Sequence, residues 1–309
     1  MSAAPSAALP LMERHPYLLV HLSVLLWGFT AIFGRLITLS PIPLVFWRVL
    51  IVSLCLAAWL PLWRQVAAMG WRDLRLTVIN GVVITVHWLF FYASIKASNA
   101  SIAATCLALA PVFLSVVEPL LRGRPVVAGH LLLAVVALPG VALVVGGIPD
   151  GMMAGLFYGT LSALLAAVFN LISKDLTMRV PALCLTAVQL ATGTVLLGLL
   201  IPWWPLAGDG FALPQTQDMV WLLILAIACT LVPFTLATVA LRRLSAFSVQ
   251  LIVNLEPVYT IALAAVLLGE ARELGWSFYA GVALILGAVL WHVRQSSVAI
   301  PMTGNSARP

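Results

Sequence analysis

Three ionisable side chains that can do chemistry sit inside apolar runs. Arg48 lies in PIPLVFWRVLIVSL, His87 in ITVHWLFFYASI and Glu256 in VNLEPVYTIAL. A charge at the bilayer centre costs roughly 2.5–3.5 kcal/mol on insertion scales, so such a group faces a cavity or a partner. Arg48 presents a planar fork that suits a carboxylate or phosphate. About five residues into its helix, it can instead snorkel outward or pair with Glu256. His87 can hydrogen-bond a substrate or take up a proton, or stand neutral, bonded to a neighbouring helix. Glu256, the one acid at mid-depth, is the leading candidate for proton coupling, with His87 the second.

Other polar and aromatic residues group around these three by helical spacing. At 100° per residue, Asn80, His87, Phe91 and Ser94 share one arc. Ser23, Trp27, Thr30 and Gly34 share a face of the first helix; Trp27 is too deep for an interfacial anchor and either walls a cavity or packs against lipid. Trp88 and Tyr92 line the same cavity or pack. Later in the chain Gln250, Asn254 and Pro257 share a face, whereas Glu256 falls about 160° away with Tyr259. A regular helix cannot turn both faces to one cavity. Pro257 lacks a donor and loosens the turn before it, and Pro111 occupies the matching place earlier. The substrate-binding set is therefore Trp27, Thr30, Arg48, Asn80, His87, Phe91, Asn254 and Tyr259, with Pro111 and Pro257 as flexing points for gating or as packing kinks.

The elements that position these residues are long apolar helices. The chain of 309 residues is 63% hydrophobic and 8% charged, against roughly 25% charged in a soluble domain. Candidate spans fall at about 17–37, 43–62, 76–96, 101–121, 126–147, 152–173, 182–202, 219–240, 246–268 and 274–293. Short connections make successive helices antiparallel neighbours. Residues 1–16 and 294–309 read as tails, the first rich in Ala, Pro and Ser. It lacks the basic segment of a cleaved leader.

The spans form two related blocks. Shifting residues 246–275 back by 146 places Pro257 on Pro111, Gly269 on Gly123 and Gly275 on Gly129; LSVLL at Leu22 matches LSALL at Leu161 with an offset of 139. The drift implies a seven-residue insertion, placed in the polar loop 208–218. The blocks, 17–147 and 152–293, hold five helices each. Of the sixteen Lys and Arg, twelve fall on the side of the N-terminus, three (Arg35, Lys96, Arg272) on the other, and Arg48 within a helix. That asymmetry puts both termini in the cytoplasm. Five helices is an odd number, so the blocks are inverted repeats, an arrangement that suits alternating access around a midplane site. The fold class is an all-α polytopic membrane protein of ten transmembrane helices in two inverted five-helix repeats.

Several functions are excluded. The net charge of +6 comes from residues scattered at helix ends, so nucleic acid is not a partner. Cys55, Cys106, Cys184 and Cys229 lie in apolar runs without metal-ligand spacing and read as packing residues. No phosphate loop, zinc signature or nucleophile elbow occurs, so neither an enzyme nor a cofactor is expected. Gly151, Gly155 and Gly159 form a small-residue series that packs within the monomer or seams a weak homodimer. Glu118 and Glu270, near helix ends, read as solvated or loop-paired acids; Trp203, Trp204 and Trp291 suit an interfacial belt.

WGFTAIFGR closing the first helix, FWRVLI in the second, ALAPVFLSVVEPLLRGRP in the fourth and NLEPVYTIALAAVLLGE in the ninth together resemble the drug/metabolite transporter superfamily, in its bacterial EamA-type branch. The resemblance spans residues 17 to about 293. It implies ten helices, cytoplasmic termini, the bacterial inner membrane and export of amino acids or other small metabolites. It departs at one place: Gly269-Glu270 fits the family's ending of that helix, but the first copy reads Gly123-Arg124. The expected protein is a secondary transporter with a small-molecule substrate, membrane lipids around it and protons as candidate coupling ion. The alternative is an exporter of lipophilic cations or drugs.

Overall fold

A computed structural model describes residues 15–123, 125, 139–208, 210–241, 244, 249 and 252–298. Helix starts follow the local chemistry. Pro16 and Pro41 occupy first turns, where a missing N–H costs nothing, and open α1 (Pro16–Leu36) and α2 (Pro41–Ala57). The span predicted at 43–62 ends early: α2 stops at Ala57, and α3 (Leu60–Ala67) turns away by 95°. Then come α4 (Trp71–Ala97), α5 (Ala100–Leu107) and α6 (Ala110–Leu121). Asn99 makes the sharp α4–α5 corner possible by capping α5, its side chain accepting from Ile102 N–H at 3.0 Å.

The second block runs α7 (Met153–Thr177), α8 (Ala182–Leu199), α9 (Thr216–Ala226), α10 (Val232–Leu241), α11 (Glu256–Leu267) and α12 (Trp276–Val298). Short 3-10 turns lie at Ile201–Ala207 and Glu270–Arg272. Between α9 and α10 the backbone opens into one π turn, Ile227–Leu231, where Val232 N–H reaches Ile227 carbonyl. Pro233 explains it: without an N–H it cannot continue the four-residue ladder. The helix predicted at 126–147 lies mostly outside the described residues; 139–146 is helical. Gln250 and Arg124 also lie outside them.

Six helical stretches are long and apolar enough to cross a membrane: α1, α4, α5 with α6, α7, α8, and α9 with α10. The bent α2–α3 pair adds a seventh if it is one span, while Glu256–Leu267 and Trp276–Trp291 are shorter apolar helices. The count among the described residues is thus below ten. Part of the reason is physical, since the break at Asn254–Leu255 shortens α11. Large apolar side chains such as Phe157, Val195, Leu199 and Val266 are exposed on the outside of the bundle, as lipid requires. The molecule is an all-helical, multi-pass membrane protein.

Packing crosses the two blocks. The most extensive contact joins α4 to α7, and α7 also carries α5 and α6; α1 packs on α10 and α11, and α2 on α8 and α9. The sequence matches α1 to α7 and α11 to α6. Each block's first helix therefore packs against the proline-bearing helix of the other. The glycine series acts here: a Cβ on Gly155 would sit 2.1 Å from Ser98 Oγ, and one on Gly159 2.7 Å from Cys106 Sγ. These glycines pack within the chain, against α4 and α5.

Contacts differ between the two ends of the bundle. At the far end, where α1 finishes, Asp218 is 2% exposed and accepts from Thr38 N–H at 2.8 Å and Thr38 Oγ1 at 2.5 Å. Glu270, also 2% exposed, accepts from Ala100 N–H, Ser101 N–H and Ser101 Oγ at 2.9, 2.8 and 2.6 Å. It is a buried cap on α5, not a solvated acid. Trp204, expected in an interfacial belt, is buried edge-on against Phe46 at 5.4 Å; Trp203 and Trp291 are exposed. At the near end the blocks meet through solvated ion pairs, Arg122 with Asp175 and Lys174 with Glu118.

Candidate functional site

Arg48 is the centre of the polar interior. It is 2% exposed, so it does not snorkel outward. Nε donates to Thr230 Oγ1 at 3.0 Å and Nη1 to Tyr92 Oη at 2.8 Å. The guanidinium carbon lies 4.2 Å from the Trp88 ring centre, a cation–π contact that strengthens away from water. No carboxylate comes within 4 Å of it among the described residues. Glu256 is half-buried and within reach of the Arg48 charge, but the two are not an ion pair.

The π turn builds the Arg48 cradle. Thr230 Oγ1 donates to Leu225 carbonyl, five residues back, at 2.9 Å, which leaves the oxygen lone pairs for Arg48 Nε. Sequence reasoning missed Thr230. Its signal was Pro233, three residues on, which marks a helix that must change register. Tyr92 and Trp88, left open between lining and packing, both touch Arg48.

The α4 arc forms a polar seam with α7. Ser94 Oγ donates to Gly155 carbonyl at 2.7 Å, His87 Nδ1 lies 2.8 Å from Ser162 carbonyl, and Asn80 Nδ2 donates to Ser173 Oγ at 2.8 Å. A carbonyl only accepts, so Nδ1 carries a proton and donates to it. The hydrogen bonds of the His87 ring among the described residues are made by Nδ1. Ser162 Oγ also donates to His87 carbonyl at 3.1 Å. Phe91 stacks on the His87 ring, centroids 6.1 Å apart. Asn80 Oδ1 and Thr30 Oγ1 are buried without a partner among the described residues.

The remaining candidates lie along α1 and α11. Trp27 meets Phe234 of α10 edge-on at 5.6 Å. Tyr259 Oη lies 2.9 Å from His21 Nδ1. Gly28 brings α1 close to α11, where a Cβ would stand 3.4 Å from Thr260 N. Asn254 and Leu255 form the turn before α11 and are not within the helix, so the opposition of Asn254 and Glu256 expected for a regular helix does not arise. Pro257 is the second residue of α11 after that break, and Pro111 the second residue of α6 after the break at Ala108–Leu109. The flanking residues match: Leu109 has φ −82°, ψ −10° and Leu255 φ −85°, ψ −5°. Among the described residues no group of three or more His, Cys, Asp or Glu can hold a metal ion.

Comparison with known proteins agrees with this architecture. The model of the EamA-like transporter family matches twice, over residues 15–146 and 153–294. A relative from Archaeoglobus fulgidus described as an uncharacterized transporter is 28% identical over 300 residues, covering 92% of this chain and 99% of that one. A solved crystal structure shares the fold with a TM-score of 0.61 at 18% identity, over 93% of this chain and all of that one.

Proposed function

Because the chain belongs to the EamA-like transporter family, we propose that it is a secondary transporter exporting amino acids or related small metabolites by alternating access. The family is one of transporters, not enzymes. The observation that carries the reading is Arg48: a buried cation with no carboxylate within 4 Å among the described residues, cradled by residues of both blocks, Tyr92 from the first and Thr230 from the second. An intramembrane charge held that way marks a substrate path. Trp27, Thr30, His87, Phe91, Asn254 and Tyr259 line the path in this reading; Asn80 anchors its α4 wall. Glu256 or His87 exchanges protons. Pro111 and Pro257 let the two broken helices flex as the site changes sides. The ten helices comprise two inverted repeats, 17–147 and 152–293, in the bacterial inner membrane with both termini cytoplasmic.

The alternative, export of lipophilic cations, is disfavoured by the same residue, because a positive cargo would meet the Arg48 charge. Reconstitution in proteoliposomes tests the reading. Saturable flux of a labelled amino acid, altered by a pH gradient, is expected. Flux of lipophilic cations alone would overturn it.

A further inference from the structure

The structure assigns Arg48 as the receptor for a single carboxylate on the cargo, and against organic phosphates. This inference deepens the transport reading above and rests on it. Two of the three guanidinium nitrogens are already engaged, Nε by Thr230 and Nη1 by Tyr92. The hydrogen bonds of Arg48 among the described residues use Nε and Nη1 and not Nη2. The ring of Trp88 covers one face of the group, which leaves an edge-on approach to Nη2. A guanidinium so fixed gives up little freedom when it meets an oxyanion.

Charge decides between oxyanions. A phosphate monoester near neutral pH carries about −1.5 to −2 and is held by clusters of cations. The described contacts of Arg48, Tyr92 and Thr230 include no second cation. The cradle of one cation and two neutral hydroxyls suits a monocarboxylate. With Nδ1 donating to the Ser162 carbonyl, Nε2 of a neutral His87 is an acceptor that suits an ammonium on the same cargo. The polarity of the site therefore matches a molecule with one negative and one positive pole. Aromatic faces at Trp88 and Phe91 leave its body apolar.

Ligand-induced thermal stabilisation of the purified protein in detergent tests the assignment independently of flux. The probes are the common amino acids, their carboxamides, and glycerol 3-phosphate. At least one amino acid is expected to stabilise the wild type with an affinity about tenfold or more above that of its amide, as the loss of a charge-assisted pair implies. Glycerol 3-phosphate is expected to do nothing. Arg48→Gln is expected to bring acid and amide to the same affinity, and Arg48→Lys to restore part of the difference. If Arg48→Gln does not fold, the wild type and Arg48→Lys still decide.

Equal stabilisation by every acid and its amide, or preferential stabilisation by glycerol 3-phosphate, overturns the assignment. Flux in proteoliposomes without acid selectivity would leave the transport reading standing and remove this one. Acid-selective binding without flux would do the reverse.

Discussion

Arg48 takes its position from what surrounds it in space. An arginine in an apolar run is visible in the sequence, and so is its need for a partner. Which partner was not visible. Glu256 was the obvious acid, but the guanidinium turned to two hydroxyls and an indole instead. Thr230 holds Nε only because Pro233 forces a π turn, an effect of backbone register that side-chain spacing does not reveal. Removing that hydroxyl by Thr230→Val deletes a hydrogen bond to a charged group, worth about 1.5–3 kcal/mol. Affinity for an acidic cargo is expected to fall about tenfold or more in KM, while its amide is unaffected; Tyr92→Phe should behave alike. Equal effects on acid and amide would mean that these hydroxyls merely pack. Glu270 teaches the same lesson: its acceptors' donors, Ala100 and Ser101, lie 170 and 169 residues away, so its role as a cap is invisible along the chain.

Among the elements, α4 and α7 share the most extensive contact of the bundle. Their seam carries three polar contacts at seven-residue intervals on α4, from Ser94 through His87 to Asn80, with glycines closing the gap at one end. The spacing of these α4 residues was legible at 100° per residue, and it does put them on one face. What that face meets was not legible, because a polar arc looks the same whether it borders a cavity or another helix. The contact pairs α4 of the first block with α7 of the second, and the two are expected to stay together during transport. Cross-linking an Asn80→Cys, Ser173→Cys pair should leave flux at the level of the same variant before cross-linking, since the present contact is 2.8 Å between side chains. Loss of flux on cross-linking, restored by reduction, would show that the seam opens during the cycle. After the breaks, Pro111 and Pro257 lack an N–H to donate to the fourth residue back, so each helix is expected to flex more readily there than along the seam.

At the scale of the whole molecule, the internal match between the first and second blocks reappears as reciprocal packing. Duplication was legible from offsets of 139 and 146, and the family match divides the chain similarly, at 15–146 and 153–294. The far end is closed by buried carboxylates on backbone donors, at Asp218 and Glu270, while the near end is joined by solvated ion pairs. Exposed pairs contribute about 0–1 kcal/mol, against roughly 1.5–3 for hydrogen bonds to a buried charge. On these magnitudes the near end is expected to open the more readily. Solute counterflow tests alternating access most directly. Vesicles loaded with an excess of an unlabelled transported amino acid are diluted into a trace of its labelled form. A carrier whose single site faces one side at a time should show a transient accumulation of label above equilibrium. Monotonic equilibration without overshoot would describe a pore, and would contradict the account.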